Sequence, residues 1–314
     1  MLKDIKIAVL LLCFVVPFAL IGVHKNHQQA LTLSRGNYFF ERTRDTADVG
    51  SIVINFDDKN SISLIKKDGL WRIKEADDYY ASFAKTNALV KLIYNTFIHR
   101  LDKITDIDNK KFDDKAIKIT SYNEAGDILD LAIIAPKDKN NKYHYAKLNQ
   151  TGFVYQLEGD FSLSPVLADW LQMPILHIAY NQIKRIKTDN FDVYRRFKAE
   201  ELKDIQSGRE VPQMQRFANY LWYLGANEVR HATHFKKQDF ELKKTIELTT
   251  LNGVIYHISL FHNNGEYWLN IKLEREKLIS GDAPFILKEN KTLYEGWFFK
   301  INPDTGEAIS SFGL

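Results

Sequence analysis

Thiols are nearly missing from this 314-residue chain: one cysteine, Cys13, can form no internal disulfide and rules out structural zinc sites built on several thiolates. Seven prolines and fifteen glycines are too few for a collagen or a linker-rich chain. Charge of one sign is not in excess either. The formal net charge is +3, and residues 181–250 carry fourteen Lys and Arg against ten Asp and Glu, which is no nucleic-acid footprint. What is present is 45% hydrophobic and 13% aromatic residues, enough to fill sizeable cores in a globular protein of about two domains.

The one long apolar run, Ile7 to Val23, has seventeen residues without a charge between Lys6 and His24. As a helix it would extend roughly 25 Å, the short end of a membrane span. Ala19-Leu20-Ile21 is a poor small-x-small cleavage site, so the reading is a retained anchor and stalk over residues 1–27 rather than a cleaved signal. Cys13 sits inside the run, not after it, which excludes a lipoprotein site. A basic tail followed by an apolar run is the layout of an export signal, so the expected location is the inner membrane, single-pass, with a periplasmic body.

Beyond the anchor, strand signals at Ile52-Val53-Ile54, Ile62-Ser63-Leu64-Ile65 and Trp71-Arg72-Ile73 surround a turn at Asp68-Gly69. A helix capped by Ser82 follows, with an apolar stripe at Leu89, Ile93, Phe97 and Leu101. Three strand-like runs come next, with a turn at Ala125-Gly126. The second half repeats this rhythm. Pro212 opens a helix with a stripe at Met214, Phe217, Ala218, Leu221 and Trp222, Gly225 is placed as its C-terminal cap, and strands flank a turn at Asn252-Gly253. The fold expected is α+β: two tandem β-α-β-type units, each an antiparallel sheet packed by a helix, over residues 28–180 and 181–314 after one transmembrane helix.

Asp68-Gly69-Leu70-Trp71-Arg72-Ile73, Ala168-Asp169-Trp170-Leu171-Gln172-Met173-Pro174-Ile175, Asn219-Tyr220-Leu221-Trp222-Tyr223-Leu224, Asn227-Glu228-Val229 and Tyr294-Glu295-Gly296-Trp297 occur in an order that resembles the domain-of-unknown-function family 4340. The resemblance covers nearly the whole chain after the anchor. It implies one membrane helix and an extracytoplasmic body, and some members of the family accompany ABC-type exporters of the gliding-motility kind. It carries no catalytic residues.

Glu228, His231 and His234, three residues apart, are the candidate metal ligands, set against an ordinary surface role because Gly225 should end the preceding helix first. His24 and His27 belong to the stalk, and His257 and His262 lack an evident third ligand. No Gly-x-Ser-x-Gly elbow and no phosphate-cradling glycine loop is present. Asp77-Asp78 and Asp113-Asp114 read as solvated turns, and Trp297-Phe298-Phe299 reads as core before it reads as a sugar platform. The expectation is therefore a non-enzymatic binding or scaffold protein without cofactor, partnered by a membrane complex such as an ABC-type transporter. A glycan- or lipid-binding module is the alternative, and an unrecognised metal-dependent hydrolase comes after it.

Overall fold

The computed structural model describes residues 37–45, 49–103, 112, 115–137, 143–149, 153–211, 213–276 and 291–312. The apolar run 7–23, Cys13, His24, His27, Pro212 and Asp113-Asp114 lie outside them. Among the described residues no helix is long and apolar enough to cross a membrane.

Nine strands make the first sheet: β1 (Val49–Asn55), β2 (Ser61–Lys67), β3 (Leu70–Ile73), β4 (Tyr79–Tyr80), β5 (Ile98–Lys103), β6 (Ile117–Asn123), β7 (Ile128–Ile134), β8 (His144–Leu148) and β9 (Phe153–Leu157). Their spatial order is β4-β3-β2-β1-β6-β7-β8-β9-β5. Eight make the second: β10 (Ile183–Lys187), β11 (Asp192–Tyr194), β12 (Lys203–Asp204), β13 (Glu228–His231), β14 (Glu241–Thr250), β15 (Val254–Asn263), β16 (Glu266–Arg275) and β17 (Trp297–Ile301), in the order β12-β11-β10-β14-β15-β16-β17-β13. From β3 onward the first order matches the second strand for strand. Among the described residues four α-helices accompany them: α1 (Glu41–Asp45), α2 (Phe83–Asn95), α3 (Met214–Trp222) and α4 (Pro303–Ser311).

The expected α+β fold of two β-α-β units is overturned by these two large antiparallel sheets with few helices. The expected units each centre on one helix packed over a small antiparallel sheet. Here α2 and α3 instead lead into edge strands, β5 and β13, while the sheet interiors are joined by hairpins such as β6-β7 and β14-β15-β16. Tight turns make this possible. Asp68 and Gly69 have φ of 54° and 76°, and Asn264 and Gly265 of 47° and 81°, the paired left-handed geometry that Asp-Gly and Asn-Gly supply at least cost.

By packing, the chain forms two units: residues up to Lys66 with Thr86–Pro165, and Lys67–Lys85 with Val166–Leu314. In the first, alternation buries Ile52 and Ile54 opposite Leu64 and Ile62. Each such side chain contributes about 1.5–3 kcal/mol. Asp130 is 1% exposed, and its carboxylate accepts from Thr43 N (2.8 Å), Thr43 Oγ1 (2.7 Å) and Asn149 Nδ2 (3.2 Å), which fastens α1 to β7. Helix α2 buries Thr86, Leu89 and Ile93 and ends at Asn95, short of the expected Leu101. Thr96 turns its hydroxyl onto the Leu92 carbonyl at 2.6 Å, and the Ile98 amide pairs with the Asn37 carbonyl at 2.9 Å, so extended backbone starts there.

In the second unit the ten-residue strands β14, β15 and β16 direct Ile246, Leu248, Tyr256, Ile258, Leu260, Leu269, Ile271 and Leu273 to one core. Helix α3 buries Met214, Phe217, Ala218 and Leu221, and Phe217 meets Phe312 at 4.5 Å between ring centroids. Helix α4 lies close on the sheet, because Gly306 offers no side chain against Tyr267.

Candidate functional site

The spacing of Glu228, His231 and His234 suggests a common cluster, but the chain distributes them. Helix α3 ends at Trp222 with Tyr223 as its C-cap, and Gly225 is not left-handed, so the residues that follow are strand and turn rather than helix. Residues three apart on a strand face opposite sides. Glu228 accepts from Arg230 Nε at 2.6 Å and lies 3.8 Å from Lys300 Nζ. His231 sets its Nδ1 2.9 Å from Thr233 Oγ1 and its ring 5.0 Å from Trp297. His234 turns its Nδ1 to Asp77 Oδ1 at 3.0 Å. Among the described residues no group of three or more His, Cys, Asp or Glu side chains is placed to hold a metal ion.

Asp77, which sequence reasoning placed in a solvated turn, is the centre of this region. It is left-handed, with φ 55°, and its Oδ2 accepts the His231 N–H at 2.9 Å while its Oδ1 faces His234. Tyr79, two residues on, is 1% exposed and meets Trp297 and Phe299 edge-on at 5.1 and 5.6 Å. Burial pushes its phenol far above the usual range. Trp297, Phe298 and Phe299 are 7%, 6% and 0% exposed, so this run is core. The region is therefore a clasp that fastens residues 67–85 into the second unit.

His257 stands between two carboxylates, Glu274 at 3.3 Å and Glu247 at 4.0 Å. It borders a depression of about 230 Å³ that also holds Lys187, Asp189 and Glu247. His262 accepts from the Gly265 N–H at 3.3 Å in the β15-β16 turn.

A different opening carries more chemistry. The last turn of α3 gives Asn219 and Tyr220, the loop beyond it gives Tyr223 to Asn227, and the start of α4 gives Asn302 and Thr305. Together they line a cleft of about 300 Å³, the lower end of the size range of small-molecule sites. Its frame is held firmly. The Leu224 carbonyl accepts from Ile175 N at 2.7 Å, Asn227 N donates to the Lys300 carbonyl at 2.8 Å, and Asn302 caps α4 by accepting from Asp304 N at 2.9 Å. Leu224 and Ala226 are buried beneath it. Tyr223 is 68% exposed, with Trp222 and His177 at 4.7 and 6.0 Å from its ring. The Asn219 and Asn227 amide groups make no hydrogen bond to another described residue.

Among the described residues no charged side chain lines this cleft. Asn219 and Asn302 are remote in sequence, and no spacing rule links them. The Asn302-Pro303 helix-start pair was the one local signal for its far wall.

The fold and the cleft define a two-sheet antiparallel β protein with a neutral, partly aromatic recess at a helix end. Comparison with known proteins returned no matching family model, no matching curated protein and no matching solved structure.

Proposed function

We propose that this chain is a membrane-anchored extracytoplasmic binding or scaffold protein serving an envelope complex, with an ABC-type transporter as the kind of partner the family 4340 resemblance implies. The observation that carries the reading is the charge-free run from Ile7 to Val23. Such a run is inserted in a bilayer at a gain that a water-facing segment would forfeit. A binding role is favoured over catalysis because Glu228, His231 and His234 each serve a separate contact around β13. Tethering raises the effective concentration of the body beside a membrane partner, so modest contacts suffice.

The test combines topology with partner capture. Cysteines at Ser207 or Asn263, with Cys13 replaced, should react with a membrane-impermeant thiol reagent in intact cells whose outer layer is permeable. Labelling only after lysis refutes the orientation. Gentle solubilisation and affinity isolation should recover membrane subunits with the full chain and lose them when residues 1–27 are replaced by a cleavable export signal. Equal recovery from the released body refutes the role of the tether.

A further inference from the structure

We infer that the cleft between the end of α3 and the start of α4 is a binding site for a neutral carbohydrate, one sugar ring seated against Tyr223. The inference rests on reading the chain as a binding protein, and it does not depend on the tether or on the membrane partner.

Charge narrows the ligand first. Among the described residues none lining the cleft is Lys, Arg, Asp or Glu, and Arg216 beside it donates from Nε to the hydroxyl of the lining Tyr220 at 3.2 Å. One wall is the last turn of α3, whose end carbonyls carry partial negative charge, and the other is the first turn of α4, whose end amides carry partial positive charge, so the two helix ends offset each other and favour neither an anion nor a cation. Nucleotides, acidic headgroups and cationic peptides thus find no described lining side chain of opposite charge.

Hydrogen-bonding character narrows it again. The Asn219 and Asn227 amides each present a carbonyl acceptor and an NH₂ donor that no described residue uses. A sugar hydroxyl donates and accepts at once, which pairs it with such an amide in either sense. A purely aliphatic ligand would leave these groups dry and unpaired.

Shape completes the argument. The C–H face of a pyranose packs on an aromatic ring, and Tyr223 presents one at 68% exposure beside Trp222. Phe83 and Phe197 are exposed to a similar degree, so it is the place of Tyr223 in the cleft wall, not its exposure, that marks it. Gly225 opens the space: a Cβ built on it would meet no atom within 4 Å, so glycine there leaves room rather than relieving a clash. An extended peptide matches less well, because the cleft is short and the neighbouring backbone at Leu224 and Asn227 is already paired.

The test uses the full chain in lipid nanodiscs or a zwitterionic detergent, since a glycoside detergent would compete. The probes are glucose, galactose, N-acetylglucosamine and their β-1,4-linked dimers, with glucuronate, glucose 6-phosphate and a capped Ala-Gly-Ala peptide as comparators. Saturation-transfer NMR and tryptophan emission should show saturable binding of at least one neutral sugar, with a dissociation constant of about 1 mM or tighter. Ring C–H protons should receive the strongest transfer. Tyr223→Ala and Gly225→Leu, both at exposed positions, should keep the wild-type circular dichroism and urea midpoint yet weaken binding about tenfold or more. The charged analogues should bind more weakly than their neutral parents. The inference is overturned if no neutral sugar saturates, if Gly225→Leu binds as the wild type does, or if the capped peptide alone binds and loses that binding in Gly225→Leu. Such a failure leaves the labelling and partner-capture results untouched, and loss of those leaves sugar binding measurable.

Discussion

One methyl group at Gly306 should destabilise the second unit by about 2 kcal/mol. A Cβ built at this position lies 2.2 Å from Tyr267 Cγ and 2.5 Å from Tyr267 Cβ and Cδ2. Those atoms are the root of the side chain, fixed to β16, so the ring cannot swing aside. Relief requires α4 to lift by roughly 1 Å, and overpacking of this kind costs about 1–3 kcal/mol. Lifting also strains the hydrogen bond that Tyr267 Oη donates to Glu307, a bond to a charged group worth about 1.5–3 kcal/mol when lost outright. Against this, alanine is better than glycine inside a helix by about 1 kcal/mol. All five tryptophans, at 71, 170, 222, 268 and 297, belong to the second unit, so their emission reports its unfolding selectively. With a urea dependence of about 2 kcal/mol per molar, the midpoint of Gly306→Ala should fall by about 1 M. Gly225→Ala is the control, because its Cβ meets nothing within 4 Å, and its midpoint should hold or rise slightly. An unchanged or raised midpoint for Gly306→Ala would show that α4 does not rest on Tyr267, and the packing argument would fail.

Leu221→Asp, which puts a carboxylate at a position 1% exposed, should cost several kcal/mol and abolish the native tryptophan signal at moderate urea; a wild-type melt would show the α3 stripe to be solvated. Asp77→Ala should cost about 1–2 kcal/mol by leaving the His231 N–H without its acceptor, whereas Asp77→Asn should stay within about 0.5 kcal/mol, because the contact to the well-exposed His234 contributes little. Equal losses in the two variants would mean that the ion pair, not the backbone bond, holds the clasp. The bond from Lys300, then that from Trp268, holds the Glu266 carboxyl below the ordinary glutamate value of 4.5 despite partial burial. Its stabilisation is thus present above pH 4.5 and is lost as pH falls through the depressed value, so Glu266→Gln should flatten the acid limb of the stability curve below 4.5; an unaltered limb refutes the assignment.

Local chemistry was legible in the sequence wherever the cause was local. Asp68-Gly69, Ala125-Gly126 and Asn252-Gly253 all mark real turns, with φ of 76°, 91° and 83° at the glycines. The stripe from Met214 to Leu221 is a helix face buried as its period requires. What failed was pairing. Alternation identifies a strand and says nothing of its neighbour, so two large sheets were read as small repeated β-α-β units, and the edge strands β5 and β13 were missed altogether, β5 as the end of a helix and β13 as a polar surface stretch. The helix stripe was carried through Phe97 to Leu101 because a period of four persists by chance across Thr96, where the hydroxyl ends the helix. The cleft was hidden for a related reason: Asn219, Asn227 and Asn302 are ordinary polar residues until the fold brings them together.

The clasp around Asp77 also has a consequence for synthesis. Asp77 and its partner His231 are 154 residues apart. At roughly 10 residues per second of translation, Asp77 emerges on the order of 15 s before the strand that completes it. Through that interval Tyr79, 1% exposed in the finished protein, has none of Trp297 and Phe299 to cover it. The nascent chain therefore carries an uncovered aromatic strand that must be guarded until the last strand arrives. For the same reason no single proteolytic cut releases the two units intact: one nick after Pro165 separates Lys67–Lys85 from the body it belongs to.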